Sequence, residues 1–248
     1  MKNKHLIYGR HPILEAVAAN QQFEKIVVQR GISFEALSEV KKYARSTDTP
    51  IQSVPVQKMN SLVKGNHQGI IGFLALVDYY TVEDILMKNY DDGVTPLFVL
   101  LDGVTDVRNI GAIARSAAAT GASALVVPGK GSAYLGPDAM KASAGTLNHI
   151  PICRSFQISD AVEYLKLNGI PIFLSESGAE KMVYELELNQ PVAIVFGDEG
   201  SGISTQVRQQ ADGVFSIPMS GPVESYNVSV SAGIVLYEAL KQRQLHKK

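Results

Sequence analysis

The chain has 248 residues, 46% of them hydrophobic and 19% charged, with 23 Lys and Arg set against 24 Asp and Glu. Such a composition describes a soluble globular protein with room for one large domain or two modest ones; it excludes an overall basic field, though a local basic face still suffices for phosphates. No apolar run approaches the roughly 18 residues of a membrane span, the first residues lack the apolar core of a signal peptide, and Cys153 has no second cysteine to pair with, so a reducing cytoplasm is expected.

In chain order, "PILEAVAAN" predicts a short helix, "KIVVQ" a strand, "SFEALSEVKKYARST" an amphipathic helix opened by Ser33, and "IQSVPV" another strand. "NHQGIIGFLALV" then gives a turn and an apolar strand ending near Asp78, which closes a small α/β unit over residues 1–78. Residues 79–95, "YYTVEDILMKNYDDGVT", are more acidic, lose strand periodicity and end at Gly and Pro; a linker is expected there. From 96 to 248 the alternation changes scale. "LFVLLD" is a continuous apolar strand of the kind buried on both faces in a parallel sheet. "NIGAIARSAAATGA" is a helix rich in small residues, and "ALVVPG", "IPIFLSE" and "PVAIVFG" are further strands, each after a helical or irregular segment. This recurrence predicts parallel α/β architecture. "NVSVSAGIVLYEALKQRQ" reads as a closing helix whose faces are mostly apolar, which suggests burial on two sides.

Three glycine-rich turns follow apolar strands: "LDGVTDVRNIG", "VFGDEGSGIS" and "IPMSGPVESYNVS". In open parallel sheets, ligands gather beyond the carboxyl ends of the strands, so three such turns converging make a site. Gly197, Gly200 and Gly202 permit positive φ and close ligand approach; tight αβ turns with no ligand are the alternative. The glycine order is not that of a dinucleotide fingerprint, and no phosphate-cradling P-loop occurs. The five histidines share no metal-ligand spacing with one another or with Cys153, so no metal site is expected.

"NIGAIAR" (Asn109 to Arg115), "FGDEGSGIS" around Glu199, and "IPMSGPVESYNVSVSAGIVLYEAL" from 217 to 240 resemble the three motifs of the SpoU-type, TrmH-like RNA ribose 2'-O-methyltransferases of the SPOUT superfamily. "IYGRHPILEAV" and "NHQGI" resemble that family's N-terminal RNA-binding domain, related to ribosomal protein L30, so the resemblance runs nearly the whole length. The subgroup most like this chain methylates a guanosine of large-subunit ribosomal RNA. The resemblance implies a parallel-sheet domain closed by a deep trefoil knot, S-adenosylmethionine bound in a bent shape, and a homodimer that completes each active site. It carries cofactor contacts to Gly197, Ile217, Met219, Tyr226 and Val228, and catalytic roles to Asn109, Arg115, Glu199, Ser225 and Asn227.

Each role has a plainer alternative. Glu199 could cap the helix that starts near Ser204, Arg115 could be a surface arginine beside a capping Asn109, and Ser225 or Asn227 could cap the last helix. A guanidinium, with a pKa above about 12, is a poor base, which favours phosphate clamping and orientation for Arg115. Two residues depart from the family pattern: Asp198, where relatives often carry asparagine, and Tyr226, where they usually carry leucine. For RNA contact, Lys2, Lys4, His5, Arg10 and His11 form one basic cluster; Lys41, Lys42 and Arg45 form another that a solvated helix face explains equally well. The competing functions are a non-catalytic RNA-binding protein that retains the fold, and a nucleotide-dependent enzyme on an unknotted doubly wound sheet.

Overall fold

The structure, a computed structural model, describes residues 5–33, 37–129, 131 and 134–245. The chain forms two compact units, Met1–Asp78 and Tyr79–Lys248.

In the first unit, β1 (Leu6–Tyr8), β2 (Phe23–Gln29), β3 (Ile51–Val54) and β4 (Ile70–Leu74) make one sheet in the order β1-β4-β2-β3. β4 runs antiparallel to both neighbours, and β2 pairs with β3 in parallel. Helices α1 (Arg10–Ala18) and α2 (Ser38–Ser46) cover it, burying Ile13, Ala16 and Val40 against Phe23, Ile26, Val28 and Ile70. The expected start of α2 at Ser33 adjoins residues 34–36, which lie outside the described residues. The strand expected over 51–56 stops at Val54, because Pro55 offers no N–H to the ladder and instead opens α3 (Val56–Leu62), with Lys58 N donating to Pro55 O.

The second unit is a seven-stranded, all-parallel sheet in the order β11-β9-β10-β6-β7-β8-β5. Residues 79–95 are part of it rather than a linker. Tyr79–Tyr80 is β5 at the sheet edge, and α4 (Val82–Asp91) buries Val82, Ile85 and Leu86 in the core. What disguised this helix is its acidic outer face. Its start is marked by a capping box in which Asp84 N donates to Thr81 Oγ1 (3.0 Å) and Thr81 N to Asp84 Oδ2 (3.3 Å). β6 (Leu97–Asp102) occupies the centre, buried over Leu97 to Leu101 as its unbroken apolar run requires.

There follow α5 (Val107–Thr120), β7 (Ala124–Pro128), α6 (Pro137–Ala142), β8 (Ile152–Ser155), α7 (Ile158–Leu167), β9 (Ile172–Ser175), β10 (Val192–Gly197), α8 (Thr205–Gln210), β11 (Gly213–Phe215) and α9 (Val228–Leu245). The small residues of α5 have a packing reason. A Cβ on Gly111 would stand 2.8 Å from Ser143 N and 2.9 Å from Ala142 C, so α6 crosses where only glycine fits. On its other flank α5 packs against α9. The far end of α9 is pinned by Arg243, whose guanidinium donates to the carbonyls of Leu188, Thr95, Pro96 and Gln190 at 2.7–3.0 Å.

Candidate functional site at the sheet's switch point

From β6 the chain steps outward through β7 and β8, whereas β9 and β10 lie on the opposite side of β6. The loops leaving β6 and β10 therefore diverge from neighbouring strand ends, the position at which open α/β sheets bind ligands. Asp102 and Gly197 stand in register there. Beyond Gly197 the chain doubles back at once: Asp198 N donates to Gly202 O (3.2 Å) and Gly202 N to Asp198 O (2.9 Å). A Cβ on Gly197 would lie 2.4 Å from Gly202 C and 2.7 Å from Ile203 N, so its side chain is missing to let its own loop return. Of Gly197, Gly200 and Gly202, only Gly202 has a positive φ, 67°. The expectation that all three permit positive φ is corrected accordingly.

Asp198 spends its charge inside this loop. Its Oδ2 accepts from Gly200 N (3.0 Å) and Ser201 N (3.2 Å), and these amides hold the carboxyl below the usual carboxylate range. Asp102 Oδ2 accepts from Ser204 N (2.7 Å), fastening the start of α8 to the end of β6. Glu199, the alternative candidate for capping α8, makes no cap there.

Glu199 instead joins two asparagines. Asn109 Nδ2 donates to Glu199 Oε1 (3.1 Å), Asn227 Nδ2 donates to the same oxygen, and Asn227 Nδ2 also faces Asn109 Oδ1 (3.2 Å). One residue from each glycine-rich turn thus meets in a single cluster, across sequence separations of 90 and 118 residues. Asn227 is bonded at both ends of its amide. Its Oδ1 caps α9, accepting from Ser229 N (2.9 Å) and Ser229 Oγ (2.6 Å), while its amide reaches Glu199. Asn109 does not cap α5. Asp106 does, accepting from Arg108 N (2.8 Å), and the side-chain hydrogen bond from Arg108 lowers the Asp106 pKa to about 2.

Beside the cluster opens a cavity of about 350 Å³ whose walls include Gly197, Glu199, Ile217, Met219, Ser225, Tyr226 and Val228. All five residues expected to touch a cofactor are among them. The volume lies in the range of small-molecule sites, roughly 300–1,000 Å³. The lining also suits a cationic donor, with carboxylates at Glu176, Asp198 and Glu199 and a single guanidinium at Arg208. Tyr226 does not obstruct the space, because its hydroxyl turns back to Pro218 O (3.4 Å) and braces the 217–226 loop. That loop is also held by Ser177, whose hydroxyl donates to Glu224 O. S-adenosylmethionine would be held by Gly197, Ile217, Met219, Tyr226 and Val228.

Not every expected residue joins this site. Arg115 is exposed on α5, makes no hydrogen bond or ion pair among the described residues, and is absent from the cavity wall. Six residues beyond Asn109, it points about 240° around the helix from it. Ser225 lines the cavity but, among the described residues, makes no hydrogen bond to Asn109 or Arg115. In the first unit, Lys2 and Lys4 lie outside the described residues, His11 pairs with Glu15 (3.1 Å), and Lys41, Lys42 and Arg45 border a shallow depression on α2. The sequence reading missed Ser175, Glu176, Ser177 and Arg208 in the cavity wall. The position of Glu176 one residue past β9, beside the strand ending in Gly197, was the available signal.

The SpoU rRNA Methylase family matches residues 96–237, and a second family, RNA 2'-O ribose methyltransferase substrate binding, matches residues 6–80. A TrmH family tRNA/rRNA methyltransferase of Staphylococcus epidermidis is 33% identical over 244 residues, covering 98% of each chain. A solved RNA 2'-O ribose methyltransferase is 27% identical and superposes with a TM-score of 0.56, covering 96% of this chain and 88% of that one. The SpoU methyltransferase AviRb from Streptomyces viridochromogenes, solved in complex with the cofactor AdoMet, has the same fold, with a TM-score of 0.62, 24% identity, and coverage of 99% and 95%. Both units are matched, and the loops that the family's sequence model spans are those that meet at the switch point of the sheet. The chain belongs to the SpoU/TrmH family of RNA methyltransferases.

Proposed function

We propose that the protein transfers a methyl group to a ribose 2'-hydroxyl of structured RNA, a guanosine of large-subunit ribosomal RNA. The observation that carries this reading is the junction of the cavity with the Asn109–Glu199–Asn227 cluster, which brings all three glycine-rich turns to one place. When bound, S-adenosylmethionine supplies an electrophilic methyl on a sulfonium. As the 2'-oxygen bonds to that carbon, the carbon–sulfur bond breaks and the positive charge on sulfur is lost. Carboxylates around the site therefore serve donor binding and orientation. Holding two reactants in line is worth roughly 7–11 kcal/mol, enough for positioning to carry much of the rate.

In this reading Arg115 clamps a phosphate beside the target ribose, and the hydroxyl proton leaves by way of the substrate phosphate. Its exposure on α5 supports a homodimer in which a second copy of the chain completes each site. Val230 and Tyr237, apolar residues exposed at 48% and 64% on α9, support burial of that helix on a second side. The loops after β10 and β11 are proposed to be threaded as a deep trefoil knot, with Asn227 and Asp102 as clasps. A cytoplasmic location fits the lone, buried thiol of Cys153; among the described residues no helix is long and apolar enough to cross a membrane.

Transfer RNA is the second reading, favoured by the name of the staphylococcal relative, which covers both RNA classes. Mapping 2'-O-methyl positions in RNA from cells lacking the protein decides between them. A missing methyl on a ribosomal guanosine supports the proposal, and one missing only from transfer RNA replaces it. Loss of neither overturns the assignment to these two RNA classes.

A further inference from the structure

Four charged side chains line the cavity, and two of them are already engaged. Asp198 is held by the amides of its own loop, and Glu199 by the amides of Asn109 and Asn227. Among the described residues the other two, Glu176 and Arg208, have only each other, Arg208 Nη1 donating to Glu176 Oε2 at 2.5 Å. Glu176 sits immediately after β9, where its backbone N–H is fixed to Phe215 O (2.9 Å), and Arg208 projects from α8. Their side chains are 20% and 49% exposed. A half-exposed ion pair of this kind adds little to stability. It also leaves capacity unused: Glu176 Oε1 is buried without a hydrogen-bond partner, and a guanidinium has five N–H donors, of which the described residues occupy one.

An acid beside the only cationic side chain that the described residues place in the cavity wall matches one part of the methyl donor in particular. The donor's amino-acid tail carries a carboxylate and an ammonium on a single carbon, and each needs an opposite charge once out of water. We propose that Arg208 and Glu176 clamp this zwitterionic tail, Arg208 taking the carboxylate and Glu176 the ammonium, and that they satisfy each other until the donor arrives. The clamp rests on the reading of the cavity as the donor site. It assigns a part of the donor to two residues outside the glycine-rich turns, and gives the site a means of preferring an amino-acid-bearing nucleoside over a bare one.

The test is calorimetry on the full chain with three probes: S-adenosylmethionine, its decarboxylated form, and 5'-methylthioadenosine, which lacks the tail altogether. Loss of a hydrogen bond to a charged group predicts that Arg208→Gln binds S-adenosylmethionine about 10- to 100-fold more weakly. Arg208→Gln should also lose the wild-type preference for S-adenosylmethionine over the decarboxylated form. Glu176→Gln should weaken both of these and leave 5'-methylthioadenosine untouched. Unchanged affinity for 5'-methylthioadenosine in both variants doubles as the control for folding. If the variants lose 5'-methylthioadenosine by the same factor, the pair holds the adenosine and the clamp is wrong; unaltered S-adenosylmethionine binding overturns it as well. A wild-type protein that binds none of the three probes removes the donor-site reading itself, and the clamp with it.

Discussion

The Asn109–Glu199–Asn227 cluster and the pair Arg115 and Ser225 sit in the same three family motifs but differ in their surroundings. The first three side chains hydrogen-bond one another and, through Asn227, the start of α9. Arg115 and Ser225 are exposed and make no hydrogen bond among the described residues. Motif residues thus divide into those that tie the loops into a site and those left open to something not part of this chain. The first class should register in stability as well as in donor binding. The second should register only when RNA or a second copy of the chain is present.

Substitutions sharpen this division, beginning with the largest effect. Arg115→Ala should reduce methyl transfer to RNA by about 100-fold or more, the scale of a lost charge-stabilising donor. Donor affinity and melting temperature should stay as in the wild type, as calorimetry and thermal unfolding will read. A drop in stability would place Arg115 with the tying residues. Gly197→Ala should act oppositely, costing about 1–3 kcal/mol or more in denaturant unfolding, because its Cβ meets backbone that cannot turn away. Asn227→Ala should cost about 1 kcal/mol as a lost helix cap. Asn227→Ser separates the two jobs of that side chain. It keeps an acceptor for Ser229 but loses the amide that reaches Glu199, so unfolding should change less than with alanine while donor affinity still falls. The smallest effect concerns Cys153, whose thiol is pushed up to about 12 by burial. An aromatic disulfide reagent should leave it unmodified in the native protein at pH 8 and label it fully in denaturant.

Much of this was legible in the residues. "LFVLLD" and "PVAIVFG" announced central parallel strands because only a sheet covered on both faces tolerates unbroken apolar runs, and β6 and β10 are that pair. The segments missed were those in which a local signal was masked. The acidic face of α4 hid its buried Val82, Ile85 and Leu86. In β8, Arg154 interrupts the apolar pattern yet is buried, its guanidinium stacked 3.4 Å from the centroid of the Tyr79 ring. β1 and β11 are three residues each, too short to show a period. In the site, the motifs marked which side chains matter but not their partners. The meeting of Asn109 with Asn227, 118 residues apart, depends on strand order, and that order is set by long-range pairing rather than by local spacing. Gly197 looked like room made for a ligand, and it also leaves room for its own returning loop, a reason no local pattern shows.

The most direct measurement is a crystal structure of the protein with S-adenosylhomocysteine. The account predicts the nucleoside within the cavity, against the main chain of Gly197, Ile217 and Tyr226, with its sulfur facing the Asn109–Glu199–Asn227 cluster. Density for the nucleoside at any other place, or an empty cavity at saturating ligand with those three loops drawn apart, would contradict it.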